Sequence, residues 1–249
     1  MSRAPDGVTG PLTRPRGERS MGAVPPPRTL PDLLAFVRRH TRPAPVPLAP
    51  ELMLYQATEL TPLWYATSEG LEDWDPAPFW AFPWAGGQAL ARHLLDHPEI
   101  VRGRTVFDFA TGSGLVAIAA ARAGAAHVVA SDLDPFCEAA VRLNAELNRV
   151  AVEFRGDDLL GDPLDGFDVV LAGDVFYERQ LAEESVAWLA KLAARGATAL
   201  VGDPGRNYSP GGLVPRAAHD VPTSPEIEHS DVMRARVLEV IPAVAVRAG

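Results

Sequence analysis

Between Thr105 and Asp203 the chain alternates strand-length apolar runs with helical ones. "TVFDFA" is followed by "GLVAIAAARAG", which closes on Gly124, and "AHVVASD" by "PFCEAAVRLNAELNR", with Pro135 in its first turn. "VEFRGD" and "FDVVLAGD" come next, then the helical "RQLAEESVAWLAKLAARG" and the strand "ATALVGD". Strands this continuously apolar belong to a parallel sheet covered on both faces. "AAHDVP" and "RARVLEVIP" read as two last strands, close enough to pair antiparallel. The expectation is an α/β fold with a doubly wound, mostly parallel sheet. In such a sheet ligands bind outside the carboxyl ends of the strands, at the point where strand order reverses.

Those ends carry carboxylates. The first strand ends in Asp108 and enters a glycine loop through Ala110, Gly112 and Gly114. The next ends are Asp132, the pair Asp157 and Asp158, Asp174 and Asp203. No lysine stands near them; Lys191, inside a helix, is the only one. A phosphate-loop NTPase needs G-x-x-x-x-G-K-[ST], so that class is excluded. "GSGLVA" satisfies the G-x-G-x-x-A pattern of dinucleotide folds, and Asp132 has the spacing of a ribose acceptor. A pyrophosphate would however have to sit where Asp108 places a negative charge. A ligand with positive charge, hydroxyls and an adenine amine suits the rim better, and S-adenosylmethionine has all three. Gly112 and Gly114 then admit close backbone approach. Asp108 fixes the loop and attracts the methionine ammonium, Asp132 accepts from the ribose diol, and Asp158 or Asp157 accepts from the adenine amine. The competing reading makes each aspartate a helix cap.

Upstream the pattern is different. Residues 1–28 are rich in Pro, Gly and Arg and read as a disordered tail. "LPDLLAFVRRHT" fits a short helix, "RPAPVPLAP" an extended connector, and the stretch around Gly87 to Leu95 a second helix. Trp64, Trp74, Trp80 and Trp84 are four of the five tryptophans. The division expected is a tail over 1–28 and one domain over 29–249, its extension covering 29–100 and its core 101–249. A net charge of −9 argues against a nucleic-acid partner and suits a basic one, such as a lysine-bearing protein surface. With the single cysteine Cys137 there is no internal disulfide and no cysteine metal cluster. No apolar run suggests a membrane span or secretory signal, so a cytoplasmic setting is expected.

The motifs "PFWAFPWAGGQALARHLLDHPEIVRGRTVFDFATGSGLVAIAAARAGA", "SDLDPFCEAAVRLNAELNR", "LAGDVFYERQLA" and "VGDPGRNY" resemble the electron transfer flavoprotein β-subunit lysine methyltransferases, within the class I, seven-strand S-adenosylmethionine-dependent methyltransferases. The resemblance covers roughly Pro47 to Val240. It implies a Rossmann-like sheet of seven strands and methylation of lysines on a protein partner, the electron transfer flavoprotein β subunit. It also implies that Trp84 and Gly87 line the cofactor pocket, that Ala110, Leu133 and Asp174 belong to the cofactor set, and that "DVFY" lies at the methyl-transfer end. Asp174 would sit nearest the target amine. This chain has Ala110 where the family usually has glycine, which a turn accepts if φ stays negative.

Methyl transfer from a sulfonium is an in-line displacement by a neutral amine. Asp174 would hold the incoming ammonium and help pass its proton to water, and Tyr177 would orient it. An aromatic wall of Trp80, Trp84 and Phe176 would favour a methylated cation. His93 and His97 lack the glutamate of the zinc-protease motif and read as structural. Alternatives are methylation of a ribosomal protein or small amine, a non-catalytic cofactor-binding module, and a nicotinamide oxidoreductase.

Overall fold

The computed structural model describes residues 29–59, 62, 63, 67 and 77–242. The 1–28 tail, Trp64 and Trp74 lie outside the described residues.

Seven strands form one sheet: β3 (Thr105–Phe109), β4 (His127–Ser131), β5 (Glu153–Arg155), β6 (Val169–Gly173), β7 (Thr198–Asp203), β8 (Val214–Pro222) and β9 (Val232–Val240). Their order is β5-β4-β3-β6-β7-β9-β8. From β5 through β7 all neighbours are parallel; β9 runs antiparallel to both β7 and β8. The chain winds outward from β3 to β5, then returns to place β6 on the other flank of β3. The switch point therefore lies between β3 and β6, at the glycine loop.

Side chains alternate across the central strands. Val106, Val169, Leu171 and Leu200 join one buried cluster with α2 (Ala85–Asp96) and α3 (Leu115–Arg122). Phe107, Val170, Ala172 and Val201 join the other, with Trp188, Leu189 and Leu192 of α5 (Arg179–Ala194). Both faces are dry, which is why the strands read as unbroken apolar runs.

The proline-rich connector is a correction. It is a β-hairpin, β1 (Arg42–Val46) paired antiparallel with β2 (Ala49–Gln56). Pro43 and Pro45 lie opposite Tyr55 and Met53 on an edge strand, where a missing N–H is tolerated. The hairpin is held by two asparagines four apart on α4 (Pro135–Asn148). Asn148 accepts from Met53 N–H at 2.9 Å and donates to Met53 C=O at 2.6 Å. Asn144 accepts from Tyr55 N–H at 2.8 Å and donates to the Ser113 carbonyl at 2.8 Å. One buried amide thus joins the hairpin to the glycine loop. The helix α1 (Leu30–His40) packs on α4 through Leu33 and Val37. Among the described residues, no helix is long and apolar enough to cross a membrane.

Candidate active site

Asp108 shares the parity of Val106 and so faces α3. It is buried, and its Oδ2 accepts from the Thr111 hydroxyl and from Ala117 N–H at 3.0 Å, in the first turn of α3. The helix-cap reading is therefore met by one oxygen. The other oxygen, Oδ1, is buried with no hydrogen-bond partner. Burial lifts the carboxyl to about 7, against the pull of those two bonds; the Asp132 charge adds to the rise.

The loop after β3 turns through three left-handed residues: Ala110 (φ 51°), Gly112 (φ 53°) and Gly114 (φ 81°). Ala110 thus departs from the negative φ expected of it. The left-handed turn is shared by the whole loop, so this alanine carries strain of about 1 kcal/mol. A Cβ on Gly114 would lie 3.0 Å from Val141 Cγ2, so that position is closed to side chains. Asp132, just past β4, accepts from Gly112 N–H at 2.9 Å through Oδ2 and from Asp134 N–H at 3.1 Å through Oδ1. Asp134 caps α4 through Phe136 N–H at 2.9 Å, yet burial raises it to about 7, with the Asp132 charge adding to the rise.

Leu133 beside Asp132 is 61% exposed, an apolar side chain left open at the strand end. Asp157 and Asp158 are exposed after β5; Asp158 bonds its own turn at Leu160 N–H, 3.1 Å.

At the β6 and β7 ends the carboxylates are engaged. Asp174 is buried at φ 65°; its Oδ2 accepts from Gly86 N–H at 2.6 Å and its Oδ1 from Arg206 Nε at 2.5 Å. Burial raises it to about 6, Arg206 pulls it back, and the neighbouring Glu228 pushes it up again. Gly86 is forced by packing: a Cβ there would run into the Gly202 carbonyl and stand 2.9 Å from Asp174 Oδ2. Gly87, one residue on, packs against Gly173 and the α3 side chains. Arg206, which stands in the "DPGR" segment that the resemblance sets beside the same opening, and Glu228, which sequence reasoning missed, both surround Asp174. "DPGR" did hint at Arg206, but no local signal marks Glu228, which sits 54 positions beyond Asp174.

The aromatic wall is also corrected. Trp80 is fully buried, stacked on Phe136 at 5.6 Å, and Phe176 lies in the α5-side core. Their places at the surface are taken by Phe79 and Tyr177, 39% and 49% exposed, with ring centroids 5.4 Å apart. Trp84 meets Phe79 edge-on at 5.5 Å and carries the Arg206 guanidinium 5.8 Å from its ring centre. The Phe79 carbonyl lies 3.7 Å from where a Gly112 Cβ would stand, so this aromatic turn borders the glycine loop. Cys137 is buried; burial, with Asp132 and Asp134 nearby, pushes its thiol up. His93 and His97 lie with tilted rings 4.7 Å apart, and no group able to hold a metal occurs among the described residues.

Residues 90–175 match the family described as ribosomal protein L11 methyltransferase (PrmA). The electron transfer flavoprotein beta subunit lysine methyltransferase of Xenopus laevis is 40% identical over 174 residues, covering 69% of this chain and 70% of that protein. Its human counterpart is 37% identical over 194 residues, 77% and 73% of the two chains. The chain belongs to the electron transfer flavoprotein β-subunit lysine methyltransferase family. Among solved structures, magnesium protoporphyrin IX methyltransferase of Synechocystis PCC 6803 superposes with a TM-score of 0.46, at 19% identity, over 63% of this chain and 78% of that one.

The donor set of this family member fits a cationic, phosphate-free ligand. Asp108 Oδ1 lacks a donor, Asp132 retains free lone pairs, and no arginine or lysine is paired with either among the described residues.

Proposed function

We propose that this enzyme transfers methyl groups from S-adenosylmethionine to lysines of the electron transfer flavoprotein β subunit. The unpartnered, buried Asp108 Oδ1 carries the reading, because an ionised carboxylate there is unfavourable until a cation meets it. The names of the relatives support the protein substrate. A cytoplasmic setting belongs to the same reading.

When bound, S-adenosylmethionine supplies an electrophilic methyl on a sulfonium. Asp108 would take its ammonium, and Asp132, already anchored to Gly112 N–H, would accept from its ribose hydroxyls. Asp157 and Asp158 border the adenine side, with Leu133 as an apolar face. Asp174 would hold the incoming lysine ammonium with lone pairs that Arg206 and Gly86 leave free, and relay its proton to water. Tyr177, its ring tilted against that of Phe79, would orient the amine. The enzyme contributes alignment and field rather than covalent chemistry.

Calorimetry with S-adenosylmethionine and NADH should give binding of the first alone. Methyl-donor labelling of the purified flavoprotein β subunit, read by mass spectrometry, should give methylated lysines. Labelling of some other lysate protein with the flavoprotein untouched would overturn the substrate. An Asp174→Asn variant that binds cofactor normally and keeps full turnover would overturn the role of that carboxylate.

A further inference from the structure

Glu228 closes α6 (Pro225–Glu228), in the connection between β8 and β9, and its side chain is 2% exposed. Its Oε2 accepts from Arg206 Nη1 at 2.8 Å and its Oε1 from Nη2 at 2.9 Å, a two-pronged grip on the guanidinium. Oε1 also accepts from Ala85 N–H at 3.0 Å. Consecutive N–H groups of α2, at Ala85 and Gly86, thereby seat Glu228 and Asp174 side by side, with Arg206 between them. Arg206 is pinned at its base as well, its N–H donating to Asp203 Oδ1 at 3.0 Å.

This arrangement decides how Arg206 divides its donors. Both terminal nitrogens go to Glu228, so Asp174 receives only Nε. Without Glu228 the fork would be free to engage Asp174 with two donors and neutralise it. With it, formal charges of −1, +1 and −1 leave the cluster one unit negative. We propose that Glu228 is a positioning residue of the methyl-transfer end: it holds Arg206 off one side of Asp174 and keeps the cluster net negative, so that a cationic lysine of the substrate is drawn to it. The inference rests on the lysine-methylation reading above. The groups facing Asp174 are Arg206 from the β7–β8 loop, Glu228 from α6, Gly86 N–H from α2 and Tyr177 from its own loop. Asp203 stands next to them, 3.6 Å from Arg236 of β9.

The test is Glu228→Gln in the full chain, which keeps the Oε1 acceptor and removes the charge. Calorimetry should show S-adenosylmethionine affinity within about twofold of wild type. The KM for the flavoprotein β subunit should rise about tenfold, the size of one partly screened charge at this range, with kcat altered far less. The Asp174 carboxyl, followed by ¹³C NMR, should titrate at lower pH because a neighbouring negative charge is gone. Glu228→Asp, which restores the charge, should recover part of the KM. If Glu228→Gln lowers the melting temperature while KM and the Asp174 titration stay at wild-type values, Glu228 serves the fold alone and the inference falls. Should wild-type enzyme bind cofactor yet leave the flavoprotein subunit unlabelled, the substrate reading fails instead. The Asp174 titration then decides the present inference by itself: a shift supports it and an unmoved curve overturns it.

Discussion

Asp108→Asn isolates one strongly perturbed carboxyl of the cleft. An ordinary aspartate titrates near about 3.9, whereas burial holds Asp108 at about 7. The folded-state value is raised. The contribution of this carboxyl to stability is therefore complete below pH ~4 and is lost as pH climbs through ~7. Three pH units of separation correspond to about 4 kcal/mol, of which about 2–3 kcal/mol falls between pH 5 and pH 8.5. Asparagine has nearly the same shape and does not titrate, so urea unfolding of the ligand-free variant should lack that portion of the slope. Asp134 and Asp174 also sit high, but both proteins contain them and their effect cancels in the comparison. Parallel stability–pH curves for the two proteins would refute the argument. A cation at Oδ1 adds a second readout. At pH 6.5 wild type should release about 0.8 proton from this group on binding S-adenosylmethionine. Calorimetry in buffers of different ionisation enthalpy measures that release, and the variant should lose it; equal release from both would remove Asp108 from the ammonium site.

Three further outcomes are expected. Gly86→Ala drives a Cβ into the Gly202 carbonyl and toward Asp174 Oδ2, combining overpacking with a weakened charged hydrogen bond. The cost should be about 3–5 kcal/mol, a fall in melting temperature of roughly 6–12 °C by calorimetric scan, and a drop under 2 °C would sink the packing argument. Ala110→Gly relieves a left-handed alanine but frees the unfolded chain, so denaturant titration should show a gain between about 0 and 1 kcal/mol; a loss above 1 kcal/mol would contradict the strain. Asn148→Ala strips Met53 of both backbone partners on α4, so stability should drop by about 1–3 kcal/mol and the Met53 amide should exchange faster with solvent. Unchanged exchange at Met53 would show that the hairpin is held by something else.

The sheet was readable because its strands are apolar on both faces, α3 and α5 run into closing glycines and α4 opens on Pro135, so the central strands and α3 to α5 follow from local pattern. The aspartates are local too, each within the last residues of its strand or just past it, and fold class alone brings Asp108 and Asp132 to one loop. The hairpin was hidden because prolines discourage strand assignment, and only tertiary contact with Asn144 and Asn148 makes an edge strand of them. Trp80 and Phe79 are adjacent in sequence and opposite in fate, since one turn of 3₁₀ helix sends the first inward and the second to the surface. Glu228 is beyond local reasoning altogether: its partner Arg206 is brought near only because β9 inserts beside β7. The backbone angle at Ala110 is likewise set by the loop as a whole and not by the residue.

The asparagine pair also bears on how small this catalyst can be made. A version trimmed to start just ahead of β3 would keep every strand of the large sheet and every aspartate of the rim. It would also strand the Asn144 carboxamide and lay open the α4 face that the hairpin covers, and Asn144 is the group that grips the Ser113 carbonyl in the middle of the glycine loop. The shortest autonomous unit therefore reaches back at least to Arg42, and an engineer who grafts only the nucleotide-fold portion onto another protein should expect a loosened cofactor seat.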